Sequence, residues 1–333
     1  MFPLLPLETT KSLAMKREVL YALACVLYLT GCSNNPSLEE VVNPEKEIYP
    51  VQFSIQMEKE VVSFPATRSM PDNTIPEPSV SKAEGDKELK ELCTTIEYAV
   101  YQKTEEADAP VYVKNKQFVC DASDKDIDFG IVYDSLPQGD YTFYFLAHNS
   151  KTATLSNSIF SFDNVSDTFY GALPLKIGAT DEINEDITLE RIVSRIEFMA
   201  TDSVSDELKQ FDMEIDGVAN QLDITTGLGI KTLKKQTLSY IFKSEDIGIV
   251  NKTHSFYTFI PATDNKISVH LSAIAQSDEL IRERQIDNIL PEQNKIIRYK
   301  GRLYSRSESD DTFQISIFNN GEWGEEKEEE LPE

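Results

Sequence analysis

Val51, Phe53, Ile55 and Met57 are apolar, and Gln52, Ser54, Gln56 and Glu58 between them are polar. A period of two puts one set on each face of a pleated strand, so this segment predicts a half-buried β-strand. Strand-like runs follow at 95–101, 111–119, 127–133 and 141–147, with a weaker one at 158–162. A second series occupies 187–200, 211–215, 239–242, 255–260, 267–275, 295–303 and 313–318. Within it Ile267, Val269, Leu271 and Ala273 again alternate with Ser268, His270 and Ser272. Nothing sustains an apolar i, i+3, i+4, i+7 pattern, although 205–211 has room for one or two helical turns. Many short strands in two blocks of similar length predict an all-β chain of two tandem antiparallel β-sandwich domains. The blocks are 48–180 and 187–320, divided at the polar, acidic run 178–186. Residues 64–90 carry four prolines and mixed charge and predict a long exposed loop, and 321–333 form an acidic tail.

The N-terminus has a different pattern. Lys16 and Arg17 precede an uncharged apolar run from Val19 to Leu29. That run falls short of the ~20 residues a spanning helix needs and suits the core of a signal peptide. It ends in Leu29-Thr30-Gly31-Cys32, which resembles the lipobox of bacterial lipoproteins. The resemblance implies cleavage after Gly31 and lipidation of Cys32, with 1–31 as signal peptide and 32–47 as a polar tether. Met15 is better placed as a start than Met1, so 1–14 read as a misplaced start. Ser33, rather than an aspartate, follows the cysteine; by resemblance to lipoprotein sorting rules this favours the outer membrane. No later stretch is long and apolar enough for a second membrane segment.

Composition narrows the function. There are 57 Asp+Glu against 32 Lys+Arg, a net charge of −25, which excludes the basic footprint a nucleic-acid binder needs. Cys25 and Cys32 belong to the signal and its lipobox, which leaves Cys93 and Cys120 inside the fold, each at the end of a strand-like run; a cross-strand disulfide and two buried thiols are both open. Asp124, Asp126 and Asp128 have the spacing that opens a calcium loop, but Phe129 stands where its glycine belongs and Ser135 where its glutamate belongs. The three histidines share no metal-binding spacing, and no nucleophile elbow or phosphate loop occurs. The reading is therefore non-enzymatic, with no metal or cofactor expected.

Leu136-Pro137-Gln138-Gly139-Asp140-Tyr141 is a turn running straight into an alternating strand, and it is similar to a pattern of transthyretin-like sandwiches. A lipobox, a tether, one strand, the segment Phe64-Pro65-Ala66-Thr67-Arg68-Ser69-Met70-Pro71 and then two sandwich-like blocks together resemble the fimbrillin superfamily of type V pili. Within it, the chain resembles the lipid-anchored anchor and accessory subunits. The resemblance implies two transthyretin-like domains and assembly with other fimbrial subunits by donor-strand exchange. It also makes Arg68, in the loop after the first strand, a candidate site for an arginine-directed protease; an uncleaved chain keeps both first strand and lipid, which suits an anchor. The alternative reading is a surface glycan-binding lipoprotein working with a nutrient importer, which would need platforms of exposed aromatic rings. A surface hydrolase is a third, and would need carboxylates converging in one cleft.

Overall fold

The structure is a computed structural model that describes residues 47–58, 89–104, 109–120, 128–179, 182–306 and 312–319. The strands of the first half are β1 (Ile48–Met57), β2 (Thr95–Lys103), β3 (Val111–Val119), β4 (Ile131–Pro137), β5 (Gly139–His148), β6 (Ala153–Ser156), β7 (Ile159–Phe162), β8 (Thr168–Ile177) and β9 (Ile183–Arg191). Those of the second half are β10 (Val193–Ala200), β11 (Leu208–Asp216), β12 (Ala219–Asp223), β13 (Leu228–Lys231), β14 (Gln236–Ile241), β15 (Thr253–Phe259), β16 (Ile267–Ala275), β17 (Leu280–Ile289), β18 (Lys295–Gly301) and β19 (Gln314–Asn319). One helical turn, Leu89–Leu92, precedes β2.

The first sandwich is one sheet folded on itself, in the order β3-β2-β5-β8-β9-β1-β4. The fold runs along β9, whose far end pairs with β8 at Tyr170↔Glu190 and whose length pairs in parallel with β1 from Val51↔Ile183 to Met57↔Leu189. Gly171 makes the crossing possible: a β-carbon there would meet Leu189 at 2.7 Å. Two layers result, β3-β2-β5-β8 and β9-β1-β4. Between them lie Val51, Phe53 and Ile55 of β1, Ile96, Tyr98 and Val100 of β2, Phe143 and Phe145 of β5, and Ile187 and Leu189 of β9. The Phe53 ring sits 4.6 Å from that of Phe143 and 5.2 Å from that of Phe145, so the first strand fills the middle of this core. The chain turns from β4 to β5 through Gln138, as the Pro-x-Gly spacing predicts.

The second sandwich packs β15-β10-β18-β19 on β14-β11-β16-β17, with four strands in each layer. Its core includes Ile196, Phe198, Phe211, Ile215, Val269, Leu271 and Ile297. Here too the first strand is parallel to a late one, β10 with β18. A third sheet, β13-β12-β7-β6, takes two strands from each half, joined at Leu222↔Phe160. It covers the outer face of β2 and β5, burying Ala99, Tyr101, Tyr144 and Leu146 against Phe160, Phe162, Leu222 and Phe259. The described residues accordingly form one compact unit.

Several expectations shift. The run 187–200 is two strands, not one: β9 belongs to the first sandwich, and the chain crosses to the second at Ile192, later than the 178–186 divide. Residues 208–211, read as room for a helical turn, begin β11, because Leu208 and Phe211 bury in the second core. β8 and β17 were not foreseen. β8 carries Pro174, which cannot donate to a ladder; β9 pairs only with the start of β8, so this proline lies on an open edge. All non-glycine residues with positive φ, among those described, are Asn or Asp, the side chains that best tolerate that region in a turn.

Candidate functional site

The open side of the first sandwich holds its most distinctive chemistry. The closed side is joined through β9. On the other side β3 and β4 end their layers with no further strand paired to them among the described residues. Among the described residues the layers are unequal, four strands against three, and no strand lies beside β4, facing β3.

Side chains close this gap. Lys114, Lys116 and Phe118 share the inner face of β3, opposite Val100, Tyr98 and Ile96 of β2, so the two lysines stand where apolar side chains would cap the core; a bulge between Lys114 and Tyr112 turns Tyr112 to the outer face, against Tyr101. Lys114 Nζ lies 2.6 Å and Lys116 Nζ 3.2 Å from the Asp134 carboxylate of β4. The Tyr98 hydroxyl donates to the same carboxylate at 2.8 Å from the floor of the core. Lys114 also donates to the Ser135 carbonyl at 3.3 Å and Lys116 to the Tyr133 carbonyl at 3.4 Å. Burial of Asp134 opposes ionisation, but hydrogen bonds from Lys114 and Tyr98 outweigh it and hold the carboxyl below its usual range. Tyr98 is pushed up, first by burial and then by the charge of Asp134. A cleft of about 380 Å³ beside the gap is lined by residues including Pro50, Gln52, Lys116, Tyr133 and Glu182.

Cys32 and Arg68 lie outside the described residues, as do Asp124 and Asp126. Cys93 and Cys120 are brought to neighbouring positions: β2 and β3 pair at Thr95↔Val119, and the Cys120 N–H donates to the Thr94 carbonyl. Neither is in a disulfide in the structure, and burial pushes the Cys93 thiol up to about 12. His254 is buried against Phe211 with Tyr304 2.6 Å from its Nε2, and burial pushes it down to about 3. His148 is buried beside Glu97, while His270 faces Glu283 in the open. Among the described residues no group of three or more His, Cys, Asp or Glu is placed to hold a metal, and no helix is long and apolar enough to cross a membrane. Lys114, Lys116, Asp134 and Tyr98 escaped the sequence reading. Their signal is the Lys-Asn-Lys inside Val-Tyr-Val-Lys-Asn-Lys-Gln-Phe-Val, which sets two lysines opposite Val100 and Tyr98, on the core face.

A family model described as fimbrillin-A associated anchor proteins Mfa1 and Mfa2 matches residues 97–327. The chain belongs to that family. It is a fimbria-associated protein of the cell surface, and its family points to a structural role. No curated protein matches the chain. Among solved structures it is similar to the fimbrial anchor protein Mfa2 of Porphyromonas gingivalis, at 10% identity and TM-score 0.40, over 81% of this chain and 97% of that one. The tip fimbrial protein Mfa3 of the same organism matches at 8% identity and TM-score 0.39, over 82% and 100% of the two chains. A candidate adhesin from Bacteroides ovatus matches at 15% and 0.45, over 78% and 87%. Membership rests on the family match, since superpositions at this level carry no weight of their own.

Proposed function

We propose that this chain is a non-catalytic fimbrial anchor or accessory subunit, held in the outer membrane through lipid on Cys32 and joined to neighbouring subunits by β-strand exchange. The observation that carries the reading is the unequal first sandwich. An edge strand with free backbone groups is a template for another strand, and a partner strand beside β4 would complete a layer that has three strands where its opposite has four. The retained lipid fits an uncleaved Arg68, because cutting there would separate β1 and the lipid from the rest of the chain. Loss of β1 would strip Phe53 and its neighbours from the first core, so the folded anchor keeps that strand. The glycan-binding alternative needs clustered exposed rings; among the described residues the exposed ones are Tyr112 and Tyr133.

The test is Cys32→Ala in the native host. The variant is expected to leave the membrane fraction, take up no fatty-acid label, and release fimbriae into the medium. Fimbriae that stay attached at the wild-type level would refute the anchor.

A further inference from the structure

Resting on that reading of strand exchange, we infer that the position beside β4, where no strand lies among the described residues, is a gated slot: Lys114 and Lys116, held by Asp134, occupy the hydrogen-bonding edge that a partner strand must use. In an antiparallel strand the N–H and C=O of one residue point the same way, and alternate residues share a side. Asp134 is paired with Val51 of β1, and its flanking residues Tyr133 and Ser135 turn their carbonyls to the gap. Those carbonyls are the ones an incoming strand would meet with its own N–H groups, about 4.8 Å from β4. They are already met by the two ammonium groups. The lysines thus imitate a strand with side chains, and inward-pointing charge of this kind keeps an edge from pairing indiscriminately.

The gate also selects its occupant. A strand entering the gap lifts the lysines off Tyr133 and Ser135 and separates them from Asp134, leaving two ammonium groups over the core. A carboxylate at an inward position of the incoming strand restores the lost pairing, because a half-buried charge without a partner is costly. The occupant is therefore an extended segment of another subunit, apolar at alternate positions and acidic at one of them. Tyr98, beneath Asp134, keeps that carboxylate in place and frees it to no other partner when the gate is shut.

The test uses the mature chain, residues 32–333, in detergent, with the double variant Lys114→Ala/Lys116→Ala and the single variant Asp134→Asn. The probe is a synthetic ten-residue peptide of alternating Val and Thr with Glu at one central Val position, and a second peptide with Lys there. Affinity is read by fluorescence anisotropy and location by hydrogen exchange at the Tyr133 and Ser135 amides. Asp134→Asn, which leaves the lysines to pair with the incoming carboxylate, is expected to bind the Glu peptide at least tenfold more tightly than wild type, with exchange at both amides slowed by a similar factor; the double variant, which keeps Asp134 and has no lysine to offer, is not. Preference for Glu over Lys is expected in wild type and Asp134→Asn and is lost in the double variant. Exchange at the β5 core amides reports whether each variant is folded, and the Asp134→Asn result stands if the double variant is not. Equal affinities throughout, protection at another edge, or amides at Tyr133 and Ser135 already protected without peptide would overturn the gate. Failure here with fimbriae still anchored through Cys32 removes the gate and leaves the proposed function standing; attachment that survives Cys32→Ala removes the function whatever the slot does.

Discussion

His254 is a titratable residue held away from water. It stacks 4.2 Å from Phe211, close to the buried cluster of Tyr240, Asp246 and Lys252. Burial, then the nearby charge of Lys252, lowers its folded pKa to about 3 against an ordinary 6.5. Below pH 6.5 the unfolded chain takes up a proton that the folded chain refuses. Its contribution is therefore complete above that pH and lost progressively as pH falls toward 3. Each unit crossed costs about 1.4 kcal/mol, so between pH 6.5 and 4.5 this group removes about 2–3 kcal/mol. Urea titrations of wild type and His254→Gln at the two pH values are expected to differ by that amount in their pH dependence; parallel losses would show that His254 is not the sensor. Asp202 is a second residue with a precise role: its carboxylate accepts the N–H groups of Leu303, Tyr304 and Ser305 at 2.9, 2.8 and 2.6 Å. Asp202→Ala leaves three donors without that acceptor and is expected to cost about 2–4 kcal/mol in chemical denaturation.

Among the elements, β1 is the one on which the first sandwich depends. It lies between β9 and β4 and presents Val51, Phe53 and Ile55 to the core. Phe53→Ala empties a site ringed by Tyr98, Phe143 and Phe145 and is expected to destabilise by about 3–5 kcal/mol, read as a fall in melting temperature. This strand was legible because its alternation is uninterrupted and one face is buried. β16 was legible for the same reason, whereas β2 and β5, buried on both faces, show as runs rich in aromatic and aliphatic residues. β17 was not: Arg282, Glu283, Arg284 and Asp287 break its apolar pattern, and it is held as an edge strand along β16. β8 was hidden by Gly171 and Pro174, which read as loop formers when sequence is all there is. The 187–200 run concealed a crossing between sandwiches, since a strand end and the next strand's start are both apolar when both are buried. The Asp134 cluster was hidden for another reason: Tyr98, Lys114 and Asp134 are far apart in sequence, and only the folding of the sheet onto itself joins them.

At the scale of the molecule, the two sandwiches are bound into one body. The third sheet takes two strands from each half, and the Tyr170 hydroxyl of β8 donates to the Ile224 carbonyl beyond β12. At the crossing, Arg191 is buried, grips Asp167 through Nε at 2.6 Å and Nη2 at 2.8 Å, and reaches Asn294 in the other sandwich at 3.1 Å. Unfolding is expected to be a single calorimetric transition, and Arg191→Met to lower it as a whole by about 3–5 kcal/mol, because a nearly buried Asp167 loses its counter-charge. Two separated transitions would show that the halves fold independently. In the proposed anchor, such a body would carry load from the lipid on Cys32 to a partner strand, which requires an intact N-terminus. Mass spectrometry of the protein taken from outer membranes of its natural host tests that most directly. The expected result is a chain that begins at acylated Cys32 and runs unbroken through β1 and Arg68; a chain that begins at Ser69 would contradict the account and make the protein a polymerising subunit.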